Sequence, residues 1–337
     1  MKNERYYYGI MSAAEKEAYK KIFYALKAKA LNIEISTALS PDDIQELYLR
    51  VLVDNPLFYF INQQVIKMRY CTGYYILMPE YLYNPREITL LDQDVRNMVN
   101  KVCTSAKRVA KNDFRLEKYL HDSVVKSVAY DYDSLRKKDC YNAHSIIGAF
   151  IDRRAVCEGI AKAFKVLCNE CGIKCIVVLG KADPEGVYGE DTYHAWNIVK
   201  IGSDSYHVDP TWDNMYDKGF EHISYDYFNL TTADILRDHH PMGRLPECTS
   251  TRLNYYACTG SFAGHFDDLV ALINARIDRK AIMCKIINDT DEPVSVDELR
   301  YRTALAVSEA LKNKQLKRSF SVIVNPCQQT VKILFID

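Results

Sequence analysis

A cysteine, a histidine and an aspartate in the middle of the chain have the residue types of a thiol nucleophile, its base and the group that orients the base. They are Cys157, His194 and Asp209. A set of this kind attacks an amide or ester carbonyl through sulfur and forms a covalent thioester. Its chemistry requires that the local structure bring all three side chains together.

The pattern around Cys157 places it where a loop becomes a helix. A helix is predicted around residues 143–150, and residues 152–156 are predicted to be the loop that follows it. Residues 158–171 are predicted to be the next helix, which ends at Gly172, and a strand and a polar loop containing residues 183–186 come after it. One face of this helix is apolar, formed by Ile160, Ala161, Phe164, Leu167, Cys168 and Cys171. The positive end of the helix dipole favours the thiolate, and Arg153 and Arg154 are expected to add positive charge.

The base and its partner are predicted to lie on a β-hairpin over residues 194–209 with its turn at Gly202. In that register Asp209 lies opposite Trp196, and His194 projects from the same face. Diagonal neighbours of this kind are about 7–8 Å apart at the backbone, within reach of a hydrogen bond between extended side chains. A slip of one residue would put them on opposite faces.

Three segments carrying these residues resemble the motifs of the transglutaminase-like superfamily. They are Ala-Val-Cys157-Glu-Gly-Ile-Ala, His194-Ala-Trp-Asn197 and Val-Asp209-Pro-Thr-Trp-Asp213. The similarity extends over residues 90–245. The resemblance implies a papain-like core in which Cys157 attacks the carbonyl, His194 takes and returns the proton, and Asp209 orients the imidazole.

The surroundings of the nucleophile are less determined. The backbone N–H of Cys157 is expected to face the oxyanion, and Tyr141, Asn142 and Trp196 are candidates for the second donor. Trp196 and Trp212 are the two tryptophans of the chain, and both lie in the motifs. They line the site or form a core platform beneath it.

The fold class predicted is α+β, with a transglutaminase-like (papain-like) core between two terminal parts. Residues 1–88 are predicted to be a mainly helical N-terminal domain, because capping boxes begin at Ser12 and Ser40. Residues 89–248 form the catalytic core and residues 249–337 a small α+β domain.

Several other residues carry weaker alternatives. The spacing of Cys168, Cys171 and Cys175 resembles that of metal ligands. Because Cys168 and Cys171 already belong to the apolar face of the predicted helix, we predict no metal and no cofactor. His207 shares a face with Asp209 and is a weak competitor for the base. The adjacent pair His239–His240 is expected to point apart and to have a structural or rim role.

Composition limits the partners. The chain has 44 basic and 44 acidic residues, so no overall field attracts nucleic acid or an anionic membrane. The run 312–318 is expected to be a solvated helix end. With no signal or membrane segment recognised, and eleven cysteines without framework spacing, we expect a soluble cytoplasmic protein with free thiols. The partner expected is a protein or peptide substrate, and the oligomeric state is open.

The predicted function is cysteine-dependent hydrolysis or acyl transfer at amide or peptide bonds through a Cys157 thioester. A peptidase is favoured over protein cross-linking, since the sequence lacks the sandwich domains of the animal cross-linking enzymes in the superfamily that it resembles. One alternative is a protein-glutamine gamma-glutamyltransferase. Another is a non-catalytic peptide- or protein-binding module on the same fold.

Overall fold

A computed structural model describes residues 3–36, 38–63, 66–135, 140–183, 192–215, 223–286 and 294–336. Helices and strands are mixed throughout, which confirms the α+β class. None of the helices in these ranges is long and apolar enough to cross a membrane. A polar loop that the sequence predicts at residues 183–186 lies mostly outside them.

The N-terminal part combines helices with a small antiparallel sheet. Its elements are α1 (Tyr6–Ile10), α2 (Ala13–Lys27), β1 (Ile33–Ser36), α3 (Pro41–Asp54), β2 (Lys67–Cys71) and β3 (Tyr74–Met78). The strands pair in the order β1-β3-β2. Both predicted capping boxes are present: the Ser12 and Ser40 hydroxyls accept hydrogen bonds from backbone N–H groups of the first helical turns of α2 and α3.

The central part carries the motif residues. Its first elements are α4 (Pro85–Val109), α5 (Asp113–Ser127), β4 (Ala129–Tyr130), β5 (Arg154–Ala155) and α6 (Cys157–Cys171). Then follow β6 (Lys174–Ala182), β7 (Thr192–Ile201), β8 (Asp204–Val208), α7 (Pro210–Met215), β9 (Phe228–Leu230), α8 (Thr232–Ile235) and β10 (His239–Pro241). Five of the strands form one antiparallel sheet in the order β10-β6-β7-β8-β9, and α6 packs against β6 and β7.

The segment between β4 and β5 differs from the single helix that the sequence suggests around residues 143–150. It contains a 3₁₀ turn (Tyr141–His144) and a π-helical turn (Gly148–Asp152). Gly148 lies so close to other backbone that a Cβ there would be 2.6 Å from the Asn142 carbonyl oxygen. The short turns are therefore set by close packing with neighbouring chain.

The C-terminal part forms a four-stranded sheet with helices on it. Its elements are α9 (Tyr255–Cys258), β11 (Phe262–Ala263), α10 (Phe266–Asn274), β12 (Ala281–Ile286), α11 (Val296–Asn313), β13 (Ser319–Asn325) and β14 (Thr330–Ile336). The strand order is β11-β12-β14-β13.

The apolar interior is divided unequally among these parts. The largest cluster of buried residues joins α2 and α3 to α4, α5 and α6, whereas the C-terminal sheet and helices enclose a second cluster. The N-terminal part is therefore packed onto the helix that carries Cys157. The three-domain division at residues 88 and 248 stays a prediction.

Candidate active site

The nucleophile candidate is the first residue of α6. Because it begins the helix, the N–H of Cys157 has no partner within the helical ladder. Gly159 lets the helix start approach the preceding turn, since a Cβ at this position would be 2.3 Å from the Ala143 carbonyl oxygen. Cys157 itself is half-buried and lines a cavity of about 760 Å³.

The hairpin has the register predicted from its turn. Asn197 pairs with Val208 at the end of the β7–β8 ladder, and the next positions along it are Trp196 and Asp209. His194 Nε2 is 2.7 Å from Asp209 Oδ2. The strands therefore place the imidazole and the carboxylate in direct hydrogen-bond contact.

Asp209 is completely buried, and each of its carboxylate oxygens is hydrogen bonded. Oδ1 accepts from the backbone N–H of Thr211 at 2.9 Å and of Trp212 at 3.3 Å, which caps the start of α7. Burial alone would raise its pKa, but His194 and His239 outweigh burial and hold the pKa of Asp209 well below its usual range. The group is an anion fixed in position.

His194 lies between the carboxylate and the thiol. With Nε2 engaged by Asp209, Nδ1 is the ring nitrogen left for sulfur, and the Cys157 side chain hydrogen-bonds this ring. Burial disfavours the imidazolium, but Asp209 and Cys157 favour it more strongly, so the pKa of His194 is raised from 6.5 to about 10. The contacts thus join the three side chains in the order that thiol catalysis requires.

A second histidine, for which the sequence predicts a structural or rim role, lies directly beneath this group. His239 Nε2 is 3.1 Å from Asp209 Oδ2, and its Nδ1 is 2.6 Å from Asp238 Oδ1. The ring is fully buried, whereas His240 is exposed, so the two neighbours do point apart. No sequence signal links His239 to Asp209, because β10 reaches the site only by pairing with β6.

The predicted second oxyanion donors are placed elsewhere. Trp196 is buried and donates from Nε1 to His207 Nδ1 at 3.0 Å. Asn142 accepts from the Tyr83 hydroxyl and donates to Asp152 Oδ2 at 2.9 Å. Among the described residues, the cavity lining does not include Trp196, Asn142 or Tyr141. It does include Trp212. Trp196 therefore belongs to the platform, and Trp212 both supports His194, at a ring distance of 5.6 Å, and lines the site.

His207, the weak competitor of His194 for the role of base, lies in a different environment. His207 is buried against the Trp196 indole, which donates to its Nδ1. Burial first and then the neighbouring His239 lower the pKa of His207 to about 3. It is a neutral acceptor under the site.

The expected contribution of the two arginines is not seen at the thiol. Arg154 is 3.0 Å from Asp131 Oδ1, and Arg153 directs its guanidinium to Met98. Neither belongs to the cavity lining that the structure describes. The positive surroundings of Cys157 come instead from the helix start and His194.

The cysteines that suggested a metal separate into different contacts. Cys168 hydrogen-bonds Cys175, and Cys171, which is half-exposed, hydrogen-bonds Cys103. Within the described residues, the one group of metal-ligand type comprises His194, Asp209 and His239, whose ligand atoms lie within 4.8 Å of one another. Hydrogen bonds from both rings to one carboxylate oxygen account for that proximity.

The cavity is built by two parts of the chain. The N-terminal part contributes Tyr7, Glu46, Leu49, Arg50 and Gln63 to the wall that faces the motif residues. Sequence patterns do not indicate this, since a domain boundary near residue 88 leaves the N-terminal part without a role in the site.

Comparison with known families agrees with the motifs. The model of the Transglutaminase-like superfamily matches residues 100–210. This stretch holds Cys157, His194 and Asp209. The chain thus carries a transglutaminase-like core, as the sequence resemblance implies.

Comparison with solved structures gives distant similarities. A structure described as a TGase is 16% identical, with a TM-score of 0.32, over 57% of this chain and 52% of its own. A candidate cysteine protease from Cytophaga hutchinsonii is 16% identical, with a TM-score of 0.28, over 44% and 61%. Menin, with a binding site for the Mixed Lineage Leukemia protein, is 14% identical, with a TM-score of 0.27, over 69% and 43%. This chain therefore covers between about two fifths and three fifths of each of these structures. A search of curated proteins found no match.

Proposed function

We propose that this protein cleaves amide bonds of a protein or peptide through a thioester on Cys157, with water as the acceptor. The observation that carries the proposal is the contact series from Cys157 through His194 to Asp209 at the wall of the 760 Å³ cavity. A nucleophile, a base and an orienting anion that touch in sequence are the requirement for covalent acyl transfer.

The first half-reaction makes the thioester. Cys157 Sγ forms a bond to the carbonyl carbon, the carbonyl π electrons move to oxygen, and the thiol proton is on His194. The tetrahedral adduct then breaks its C–N bond as His194 protonates the leaving nitrogen, and the amine departs. Asp209 holds the ring and stabilises its charged form.

The second half-reaction regenerates the thiol. Water loses a proton to His194 as it attacks the thioester, the C–S bond breaks, and the sulfur recovers its proton as the carboxylic acid is released. Hydrolysis requires only that water reach the thioester. A cross-linking reaction requires in addition that a second protein present an amine there.

The cavity favours a substrate with apolar side chains. Its wall includes Leu49, Tyr130, Tyr132, Val156, Leu179 and Met242. A volume of about 760 Å³ lies within the roughly 300–1,000 Å³ typical of ligand sites and accommodates a short stretch of peptide.

Incubation with a cell proteome tests this function. We expect wild-type protein to create new peptide termini, and Cys157→Ala to create none because the nucleophile is absent. Cys258→Ala is the matched control, since Cys258 is an exposed thiol away from the cavity, and it should retain full activity. Mass spectrometry of termini and of isopeptide bonds gives the readout.

The other outcomes identify the alternatives. New Cys157-dependent isopeptide bonds without new termini would favour a protein-glutamine gamma-glutamyltransferase. The absence of both new termini and new isopeptide bonds would contradict an enzymatic function and favour the binding module.

A further inference from the structure

Gln63 is the feature of the cavity that the proposed chemistry leaves unexplained. The residue is 7% exposed and lines the same cavity as Cys157. Its Nε2 is buried and has no hydrogen-bond partner among the described residues. Because a buried donor without a partner is destabilising, such an atom in a binding cavity points to a ligand group.

The orientation of the Gln63 amide is fixed by a buried lysine. Lys162 Nζ donates to Gln63 Oε1, and it also lies 2.5 Å from Glu158 Oε1 and 3.4 Å from the His144 carbonyl oxygen. An ammonium group has donors only, so it must face the carbonyl oxygen of the amide. The –NH₂ group is therefore the end left for the cavity.

The same lysine places this amide at the start of the catalytic helix. Lys162 is on α6, and helical side chains lean towards the helix N-terminus, so its Nζ reaches back to Glu158 in the first turn. Cys157 precedes Glu158, and its own N–H has no partner within the helical ladder. Gln63 and Cys157 both line the cavity, and Lys162 links the Gln63 amide to the first turn of the helix that Cys157 begins.

We propose that Gln63 Nε2 and the Cys157 N–H together bind the carbonyl oxygen of the substrate as it becomes an oxyanion. This inference rests on the proposed function and assigns the second donor for it. It makes the N-terminal part of the chain a component of the catalytic site, since Gln63 lies between α3 and β2.

Hydrolysis of p-nitrophenyl acetate measures the effect of the donor. Thiolate attack on this ester makes an oxyanion, p-nitrophenolate leaves, and water then releases acetate from sulfur. Loss of one oxyanion donor costs about 10²–10³ in kcat. We expect Gln63→Met to lower kcat by about 100-fold and to change KM much less.

Three comparisons separate a donor from a structural role. Gln63→Glu keeps an acceptor for Lys162 and lacks the donor, so it should lose activity as well. Asn62→Ala changes the neighbouring residue, which hydrogen-bonds Glu80 outside the cavity lining, and should keep kcat. Iodoacetamide alkylation of Cys157 displaces iodide without forming an oxyanion, so its rate should stay within about 2-fold in Gln63→Met.

The failures of the inference and of the proposed function are distinguishable. A wild-type kcat in Gln63→Met would overturn the role of Gln63 as a donor. An alkylation rate that falls as much as kcat does would overturn it too, because it would indicate that the thiol is displaced. Ester hydrolysis that is absent, or that persists at the wild-type rate in Cys157→Ala, would overturn the proposed function itself.

Discussion

At the scale of single residues, the site is organised around one carboxylate. Asp209 uses Oδ2 for His194 and His239 and Oδ1 for two backbone N–H groups. With four hydrogen bonds to a buried anion, the carboxylate has little freedom to rotate. The orientation of the His194 ring follows from this, and so does its preference for the charged form.

The His194–Asp209 pair predicts a specific dependence of stability on pH. The folded-state pKa of His194 is raised from 6.5 to about 10, so its contribution is complete below pH 6.5 and is lost as the pH rises towards 10. The pKa of Asp209 is lowered from 3.8, so its contribution is complete above about pH 4. The decrease in the free energy of unfolding caused by Asp209→Asn should therefore be largest between about pH 4 and 6.5. Its size there should be on the order of 3 kcal/mol, as for a broken buried ion pair.

Urea unfolding of wild type and Asp209→Asn at pH 5, 8 and 9.5 checks this dependence. The difference in free energy of unfolding should shrink at each step. The control Asp204→Asn removes a partly exposed carboxylate at the start of β8 that pairs with Arg252, and it should lower the free energy of unfolding much less than Asp209→Asn does at pH 5, because exposed ion pairs contribute little. A difference for Asp209→Asn that grows with pH would contradict a protonated His194.

Sequence reasoning can place the motif residues but not their supports. Cys157, His194 and Asp209 stand next to local signals, a helix start and a hairpin turn, that fix their neighbours. His239 and Gln63 reach the same site through tertiary packing of β10 and of the N-terminal part, and no periodicity encodes such contacts. The sequence-based candidates for the second oxyanion donor, Tyr141, Asn142 and Trp196, lie near the motif residues along the chain. The residues that line the cavity are instead those that lie near Cys157 in space, and they include Gln63.

At the scale of elements, the start of α6 determines where the thiol lies. Gly159 is in the first turn, and its missing side chain lets the helix contact the 3₁₀ turn at Tyr141–His144. The opposite end of the helix stops at Gly172, which has φ +92° and open space around its Cα. The two glycines are required for different reasons, one for close approach and one for conformation.

The same substitution at each end of α6 tests this difference. Gly159→Ala must displace the helix start, so we expect a loss of about 1–3 kcal/mol of stability and slower alkylation of Cys157. Gly172→Ala, the matched control, should cost about 1–2 kcal/mol for its left-handed backbone and leave alkylation unchanged. Thermal unfolding and iodoacetamide kinetics measure both effects. Unchanged alkylation in a folded Gly159→Ala protein would show that the close approach does not position the thiol.

Elements with strong local signals are predictable and those set by packing are not. The predicted helix over residues 158–171 and the hairpin at Gly202 agree with α6, β7 and β8. Around residues 143–150 the apolar pattern predicts a single helix, whereas the structure has a 3₁₀ turn followed by a π-helical turn. Their backbone is shaped by contacts such as the approach of Gly148 to Arg154, whose carbonyl oxygen would lie 2.7 Å from a Cβ on the glycine.

At the scale of the whole molecule, both terminal parts contact the region around the site. Lys165 of α6 donates to the carbonyl oxygens of Val53 and Asp54 at 3.0 and 3.1 Å, which attaches α6 to α3. From the other side, Gln328 Nε2 donates to Asp238 Oδ2 at 3.2 Å, and Asp238 holds His239. Boundary signals in the sequence do not reveal such contacts, because they mark where chain segments end and not what they touch.

The central claim is that Cys157 and His194 form an activated pair, and competitive alkylation measures it directly. Native protein is treated with limiting iodoacetamide at pH 6.5, and peptide mass spectrometry gives the rate at each cysteine. Cys71 and Cys258 serve as internal references, because they are free thiols with at least partial exposure. We predict that Cys157 reacts at least about 10-fold faster than either, since a thiolate and not a thiol is the reactive form.

The His194→Ala variant completes the measurement. The account predicts that the advantage of Cys157 disappears in this variant, and that Cys157 then labels only as the pH approaches about 8.5, where an ordinary thiol ionises. Equal labelling of Cys157 and the reference cysteines at pH 6.5, unchanged by His194→Ala, would contradict the account.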